Sequence, residues 1–300
     1  MVYYFTNTLQ NSRRGLDNRH LNNKIMIQIK DLGFSYGGFP VLKNITMNLE
    51  EGRIYGLLGE NGVGKTTLLT LISGLKKPLT GSIDTDGHNP YEREPSFLSD
   101  QYYLSDEVAA VNMKAIDYAV NYGRFWENFD LAKFNEVMQI LENAPHKKMT
   151  TMSFGQLKKP YIAFALDCNT KYLFMDEPTT GLDIPSKAQF RKAVMKYTRE
   201  DSVILISTHQ VRDLENIIDP IIILDRQEVL LNAGIAEISA KLYFDYSNEV
   251  NQSALYREMV PGGNIQVSLN QTSEESKVNL EALFNTEYQH KELIKEIFIK

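Results

Sequence analysis

Strand-like apolar runs recur along this chain at Ile25 to Ile29, Ile45 to Leu49, Ile54 to Leu58, Tyr172 to Met175, Val203 to Ile206 and Ile221 to Leu224. Several lack the alternation of a half-exposed strand, as expected for strands covered on both faces. Between Val108 and Glu142 the period changes. Met113, Ile116, Ala119 and Val120 fall at helical spacing, and Leu131, Phe134, Val137, Met138 and Leu141 repeat it. The pattern predicts a layered sheet interrupted by a helical insert.

The two ends read differently. Residues 1–24 are polar, rich in Asn and Arg and without period, which predicts a disordered leader with no function of its own. After Ile238 the pattern weakens: Pro261-Gly262-Gly263 marks a turn, Asn270 to Lys277 is wholly polar, and Leu280, Leu283 and Phe284 suggest a terminal helix. Residues 241–300 are expected to form a small appendage to a main unit over 25–240.

Three hundred residues with 43% apolar content suffice for one large domain with such appendages. A net charge of −6 and a pI near 5.5, with no long Lys/Arg block, argue against nucleic acid as a partner. The single cysteine, Cys168, excludes an intrachain disulfide and suits a reducing compartment. No run approaches the roughly 18 to 20 apolar residues that cross a bilayer, and no charged segment followed by an apolar core marks a secretory signal, so a cytosolic protein is expected.

The chemistry begins at Tyr55 to Leu69, YGLLGENGVGKTTLL, where a short apolar run meets a glycine-rich turn and then an apolar helical segment. Gly59, Gly62 and Gly64 let successive backbone N–H groups converge on phosphate oxygens without side chains intervening. Lys65 adds a cation, and Thr66 can place its hydroxyl on Mg²⁺ while the helix N-terminus directs its partial positive charge at the same phosphates. GxxxxGKT is satisfied in full, with a strand before it and a helix after.

Such a loop needs carboxylates to complete it, and Lys171 to Asp183, KYLFMDEPTTGLD, supplies them. A buried strand delivers Asp176 and Glu177 at its C-terminal end, where parallel sheets bind ligands. Pro178 stops the strand and leaves both near the phosphates. Asp176 can hold Mg²⁺ through water and Glu177 can polarise an attacking water as general base.

With these two stretches the sequence resembles the ATP-binding cassette (ABC) ATPases. Thr151 to Lys159, TMSFGQLKK, is similar to the family signature LSGGQ, with Ser153, Gly155 and Gln156 matching and Met152 and Phe154 departing. Ser153 is also a good N-cap for the helix that follows. The resemblance implies that Ser153 and Gly155 meet the γ-phosphate held by another subunit, and that bulky Phe154 affects how closely subunits approach. His209, in SVILISTHQ, resembles the switch histidine that contacts the γ-phosphate. Gly181-Leu182-Asp183 resembles the loop that couples two sites across a dimer. Tyr36 matches the aromatic that stacks on adenine, a core tyrosine being its alternative. Asn61 and Thr67 are counted with the phosphate loop as nucleotide contacts. The family places a metal-sensing Gln at the end of a strand entering the helical subdomain. Here SFLSDQYYL puts Asp100 at that position and Gln101 one later, and Gln101 is taken as the sensor. Pro160, in the second turn behind Ser153, is expected to kink its helix.

What the resemblance implies for the fold is an α/β P-loop NTPase core with a mixed sheet flanked by helices, a helical signature subdomain at about 101–160 and an N-terminal antiparallel β subdomain. For function it implies an ATP- and Mg²⁺-dependent ATPase subunit, dimeric with itself or a homologue, at the cytoplasmic face of the membrane through a separate permease. VNLEALF, from Val278 to Phe284, resembles the close of the exporter branch, whose cargoes include drugs, peptides and lipids. The alternative is a regulatory or assembly ATPase acting on a protein partner. Tyr102, Tyr103, Tyr118, Tyr122, Phe125, Trp126, Phe129 and Phe134 fall where the family docks its permease, either as the subdomain's own core or partly as a contact surface.

Overall fold

The computed structural model describes residues 24–272 and 274–298; the expected leader lies outside them except for Lys24. In chain order the strands are β1 Ile25–Tyr36, β2 Phe39–Glu50, β3 Arg53–Leu58, β4 Thr80–Thr85, β5 Gln101–Leu104, β6 Tyr172–Asp176, β7 Val203–Thr208, β8 Ile221–Asp225, β9 Glu228–Ala233, β10 Leu242–Ser247, β11 Tyr256–Val260 and β12 Gly263–Leu269. The helices are α1 Lys65–Ile72, α2 Pro95–Ser99, α3 Ala115–Gly123, α4 Leu131–Ile140, α5 Phe154–Asp167, α6 Ile184–Tyr197, α7 Ile235–Lys241, α8 Leu280–Gln289 and α9 Lys291–Phe298.

The unbroken apolar runs have a direct explanation. They form a six-stranded sheet in the order β5-β6-β7-β3-β8-β9, parallel except for the last pair, and layers cover both of its faces. Side chains alternate between two apolar cores. Tyr172, Phe174, Val203, Leu205, Ile222 and Leu224 face one core, which also takes α1 and the antiparallel sheet β2-β1-β4. Leu173, Met175, Ile204, Ile206, Ile221 and Ile223 face the other, shared with the helices of the insert.

In that insert α3 and α4 pack on α5 around Phe134, Val137, Met138 and Phe164, and Tyr102, Trp126 and Phe129 pack their rings against Phe164. Most of the predicted aromatics thus serve the local core, while Phe125 and Tyr122 are exposed. Helix α5 runs continuously from Phe154 to Asp167 through Pro160. Proline cannot supply the N–H that Gln156 C=O would accept in a helix. Asn143 Nδ2 donates to that carbonyl instead, at 2.6 Å.

Residues after Lys241 form a third sheet, β10-β12-β11, with α8 against it, while α9 packs on β9 of the core sheet. The segment does not hang loose. Phe244, Val267, Leu280, Leu283 and Ile294 belong to the same buried cluster as the core sheet, and Lys291 and Lys295 pair with Asp225 and Glu228 of the β8–β9 turn. Its strands escaped the pattern because they are mixed in polarity: one face of β10 is buried, and in β12 the polar Gln266 is buried beside Val267.

Candidate functional site

The site lies at the C-terminal ends of β3, β6 and β7, which stand side by side in parallel register. The loop from β3 turns into α1 at Gly64, whose φ of 115° is closed to side-chain-bearing residues. A Cβ there would also lie 3.0 Å from Leu42 and 3.1 Å from Val41. This lets the loop end on free N–H groups at the start of a helix, a ready anion cradle.

Lys65 opens α1 with its ammonium buried, 2.7 Å from Gly59 O and 3.1 Å from Glu60 O, and 3.5 Å from Glu177 Oε1. Burial lowers its pKa, opposed by the Glu177 and Asp176 carboxylates. Thr66 Oγ1 donates to Asp176 Oδ2 at 2.7 Å. Asp176 is held from two further sides, by Ser207 Oγ at 2.5 Å and Tyr103 Oη at 3.3 Å. Burial and the Asp176 charge push the Tyr103 hydroxyl well up, so it stays a donor.

Glu177 follows at the strand end with φ 44°, a left-handed conformation unusual for a glutamate. Its N–H donates to Ser207 Oγ at 3.0 Å, and its carbonyl accepts from Lys158 Nζ at 2.6 Å. Its carboxylate lies between Lys65 and His209, whose Nδ1 is 2.9 Å from Oε2. Thr180 Oγ1 is 3.4 Å from the same oxygen. One carboxylate is thus aimed by two nitrogens and its own main chain, while the neighbouring one is tied to hydroxyls. Such a division suits one carboxylate to accept a proton and the other to offer oxygen to a cation.

Around this centre Asn61 and Gly62 lie exposed in the loop and Thr67 is buried in the first turn of α1. Tyr36 is half-exposed at the end of β1, its hydroxyl 3.4 Å from Thr67 Oγ1 and its ring braced edge-on by Phe34. It is not a core tyrosine.

The signature turn sits apart on its own helix. Ser153 caps α5 by accepting from Gln156 N at 3.4 Å, while Gln156 Oε1 accepts from Ser153 N and from Lys147 Nζ. Gly155 and Gly181 approach too closely for side chains: a Cβ on Gly155 would meet Gly181 O at 2.5 Å, and one on Gly181 would meet the Phe154 ring at 2.4 Å. Phe154 therefore covers Gly181 of its own chain. Asp183 caps α6 by accepting from Ser186 N at 2.9 Å, and hydrogen bonds from Ser186 hold its carboxyl below the usual range.

Gln101 is not with this group. It begins β5 rather than ending it, paired with Tyr172 at the start of β6, so about four strand steps or ~13 Å separate it from the level of Asp176. Its Nε2 reaches Ser73 O at 3.4 Å. Asp100 lies farther back still, as the C-cap of α2. The strand begins where the sequence reading ends it, because QYYL is apolar enough to pair in the sheet and the preceding PSFLS closes as a short helix. The C-terminal end of β5 instead delivers Ser105 and Asp106, and Asp106 Oδ1 lies 2.8 Å from Lys158 Nζ.

Sequence reasoning also missed Tyr103, Ser207 and Lys158. Ser207 was findable, as a polar residue in the apolar run SVILIST paired directly with Asp176.

Comparison with known proteins agrees with this geometry. A family model described as ABC transporter matches residues 42–180. The chain is 30% identical over 198 residues to the lantibiotic transport ATP-binding protein SrtF of Streptococcus pyogenes, covering 65% of this chain and 84% of that one. It is 30% identical over 223 residues to a putative ABC transporter ATP-binding protein of Pyrococcus furiosus, covering 71% and 85%. Among solved structures, a putative ABC transporter ATP-binding protein from Pyrococcus furiosus superposes with a TM-score of 0.57 at 26% identity, over 65% of this chain and 96% of that one. An ATP-binding subunit of an ABC transporter has a TM-score of 0.64 at 21% identity over 71% and 91%, which speaks for the fold. This chain belongs to the ABC transporter ATP-binding proteins, a family of ATP-binding ATPases.

Proposed function

We propose that the chain hydrolyses ATP with Glu177 as general base and so powers a separate membrane permease. The observation that carries the reading is the Glu177 carboxylate held between Lys65 and His209 beside the Thr66–Asp176 pair. Lys65 and the N–H groups of residues 59–66 bind the phosphates, with Asn61 and Thr67 beside them and Tyr36 offering its exposed ring to adenine. Glu177 accepts the proton of the attacking water, and His209 orients that carboxylate toward the phosphate end.

Thr66 and Asp176 offer a hydroxyl and a carboxylate within 2.7 Å of each other, a hard oxygen set that fits Mg²⁺. They would hold the ion, which neutralises phosphate charge when bound. No part is left for Gln101.

Two copies are proposed to face each other, as a homodimer or with a homologue, Ser153, Gly155 and Gln156 of one serving the nucleotide held by the other and Asp183 lying near their junction. The exposure of Ser153 and Phe154 supports this arrangement. Among the described residues no helix is long and apolar enough to cross a membrane, which supports a separate permease docking on the insert near Phe125 and Tyr122. The cytoplasmic face of the membrane is the proposed location. The resemblance of Val278 to Phe284 to the exporter branch and the name of the streptococcal relative support export of a drug, peptide or lipid.

Turnover of MgATP by the purified chain and by Glu177→Gln tests this. The variant should lose more than about a hundredfold in kcat yet bind ATP and sediment as a dimer with it. Near-normal hydrolysis would remove Glu177 from the role, and a protein that stays monomeric with ATP bound would remove the facing dimer.

A further inference from the structure

Lys158 lies five residues beyond Ser153 on α5 and its side chain is wholly buried. An ammonium has three N–H donors, and three acceptors surround this one: Asp106 Oδ1 at 2.8 Å, Glu177 O at 2.6 Å and Thr180 O at 3.4 Å. Two of these are main-chain carbonyls of the turn that follows β6, itself closed by Thr180 N donating to Glu177 O. The third is a carboxylate with a side chain 41% exposed, on the segment between β5 and the helical insert.

A buried ammonium is tolerated only where a counter-charge and dipoles replace its water. Carbonyls supply dipoles alone, so Asp106 is the counter-charge that faces the Lys158 ammonium in this place. The grip matters because of what it holds. Glu177 stands at φ 44°, where its side chain is directed by a main-chain conformation that glutamate does not favour. Ser207 fixes that conformation on the N–H side and Lys158 on the carbonyl side.

We infer that Lys158, with Asp106 as its counter-charge, is a positioning residue that aims the Glu177 carboxylate by clamping the Glu177 carbonyl. The inference rests on Glu177 being the base. Because Asp106 is on the strand side and Lys158 on α5, the clamp ties the signature helix and the core strand to one carbonyl. The clamp touches neither the phosphate loop nor Tyr36, so it bears on turnover and leaves nucleotide affinity alone.

The test uses the full chain, with kcat counted per bound ATP so that misfolded protein does not contribute. Asp106→Asn keeps the shape and removes the charge; it should lower kcat about tenfold while KM for ATP stays within about twofold, and Asp106→Glu should retain more than about half of the activity. Lys158→Met should lower kcat at least as far with the same KM. If Lys158→Met does not fold, the Asp106 pair decides alone. In a Glu177→Gln background Asp106→Asn should cause no further loss, since the clamp acts only through Glu177. Wild-type kcat in Asp106→Asn, a change confined to KM, or an added loss in the double variant would overturn the clamp. Near-normal hydrolysis by Glu177→Gln alone would instead overturn the base it serves, so the two failures are separable.

Discussion

The phosphate loop and the signature turn are both glycine-bearing entries to a helix, yet they spend their polar groups in opposite ways. The loop's side chains reach across more than a hundred residues of sequence, Lys65 to Glu177 and Thr66 to Asp176. The turn's side chains close on themselves, Ser153 and Gln156 satisfying each other's backbone while Phe154 covers Gly181. One is assembled by the fold of its own chain. The other is an exposed edge whose polar groups are satisfied within the turn itself. In the proposed facing dimer these two halves complete each other, and the chemistry waits on association rather than on local rearrangement.

That contrast can be broken most decisively by mixing chains. Lys65→Ala and Ser153→Arg should each remove nearly all turnover of a homodimer. Combined one to one, they should regain up to about a quarter of wild-type activity, because random pairing gives about half heterodimers, each with one undamaged site. Recovery would demonstrate action across subunits. Its absence, if Glu177→Gln is monomeric with ATP, would place the whole site on one chain.

A smaller effect probes the assembled side. Ser207 contacts both carboxylate residues, through Asp176 Oδ1 and Glu177 N. Ser207→Ala should lower kcat about tenfold, the worth of one hydrogen bond to a charged group, with a minor change in KM. Gln101→Ala should change kcat by less than about twofold, since its partner is Ser73 O at the other end of the strand. A strong loss there would restore it as a metal sensor.

The slightest consequence for activity concerns the buried C-terminal end of the signature helix. Burial pushes the Asp167 carboxyl up to about 7 against the pull of Lys133. The folded chain then keeps a proton that the unfolded chain releases above about pH 4, so this group's share of stability falls as pH rises toward 7 and levels off beyond it. Asp167→Asn should flatten the decline of melting temperature between pH 5 and 8 while leaving turnover per site unchanged. An unaltered decline would show that Lys133 compensates the charge.

What the sequence made legible follows the same division. Residues of the phosphate loop and the β6 end were readable because their chemistry depends on consecutive positions and their strands are apolar on both faces. Long strands such as β1 were found only in part: the pattern stops at Ile29 while pairing with β2 carries it on to Tyr36. The error at Gln101 came from a four-residue strand, too short to show where it starts. With the strand running from Gln101 to Leu104, it is Tyr103, near its C-terminal end, that reaches Asp176, and not Gln101. Lys158 was hidden for another reason. Within TMSFGQLKK it looks like one of two solvated lysines, and only the tertiary fold places it under Glu177.

The packing of the last sixty residues sets a schedule for synthesis. Every residue assigned to the chemistry has been translated once His209 is made, but the apolar cluster beneath the sheet is completed by Val267, Leu283 and finally Ile294. A nascent chain emerging from its N-terminus therefore carries all of those residues over an unsealed hydrophobic face, and must keep that face from other apolar surfaces until the closing helix arrives.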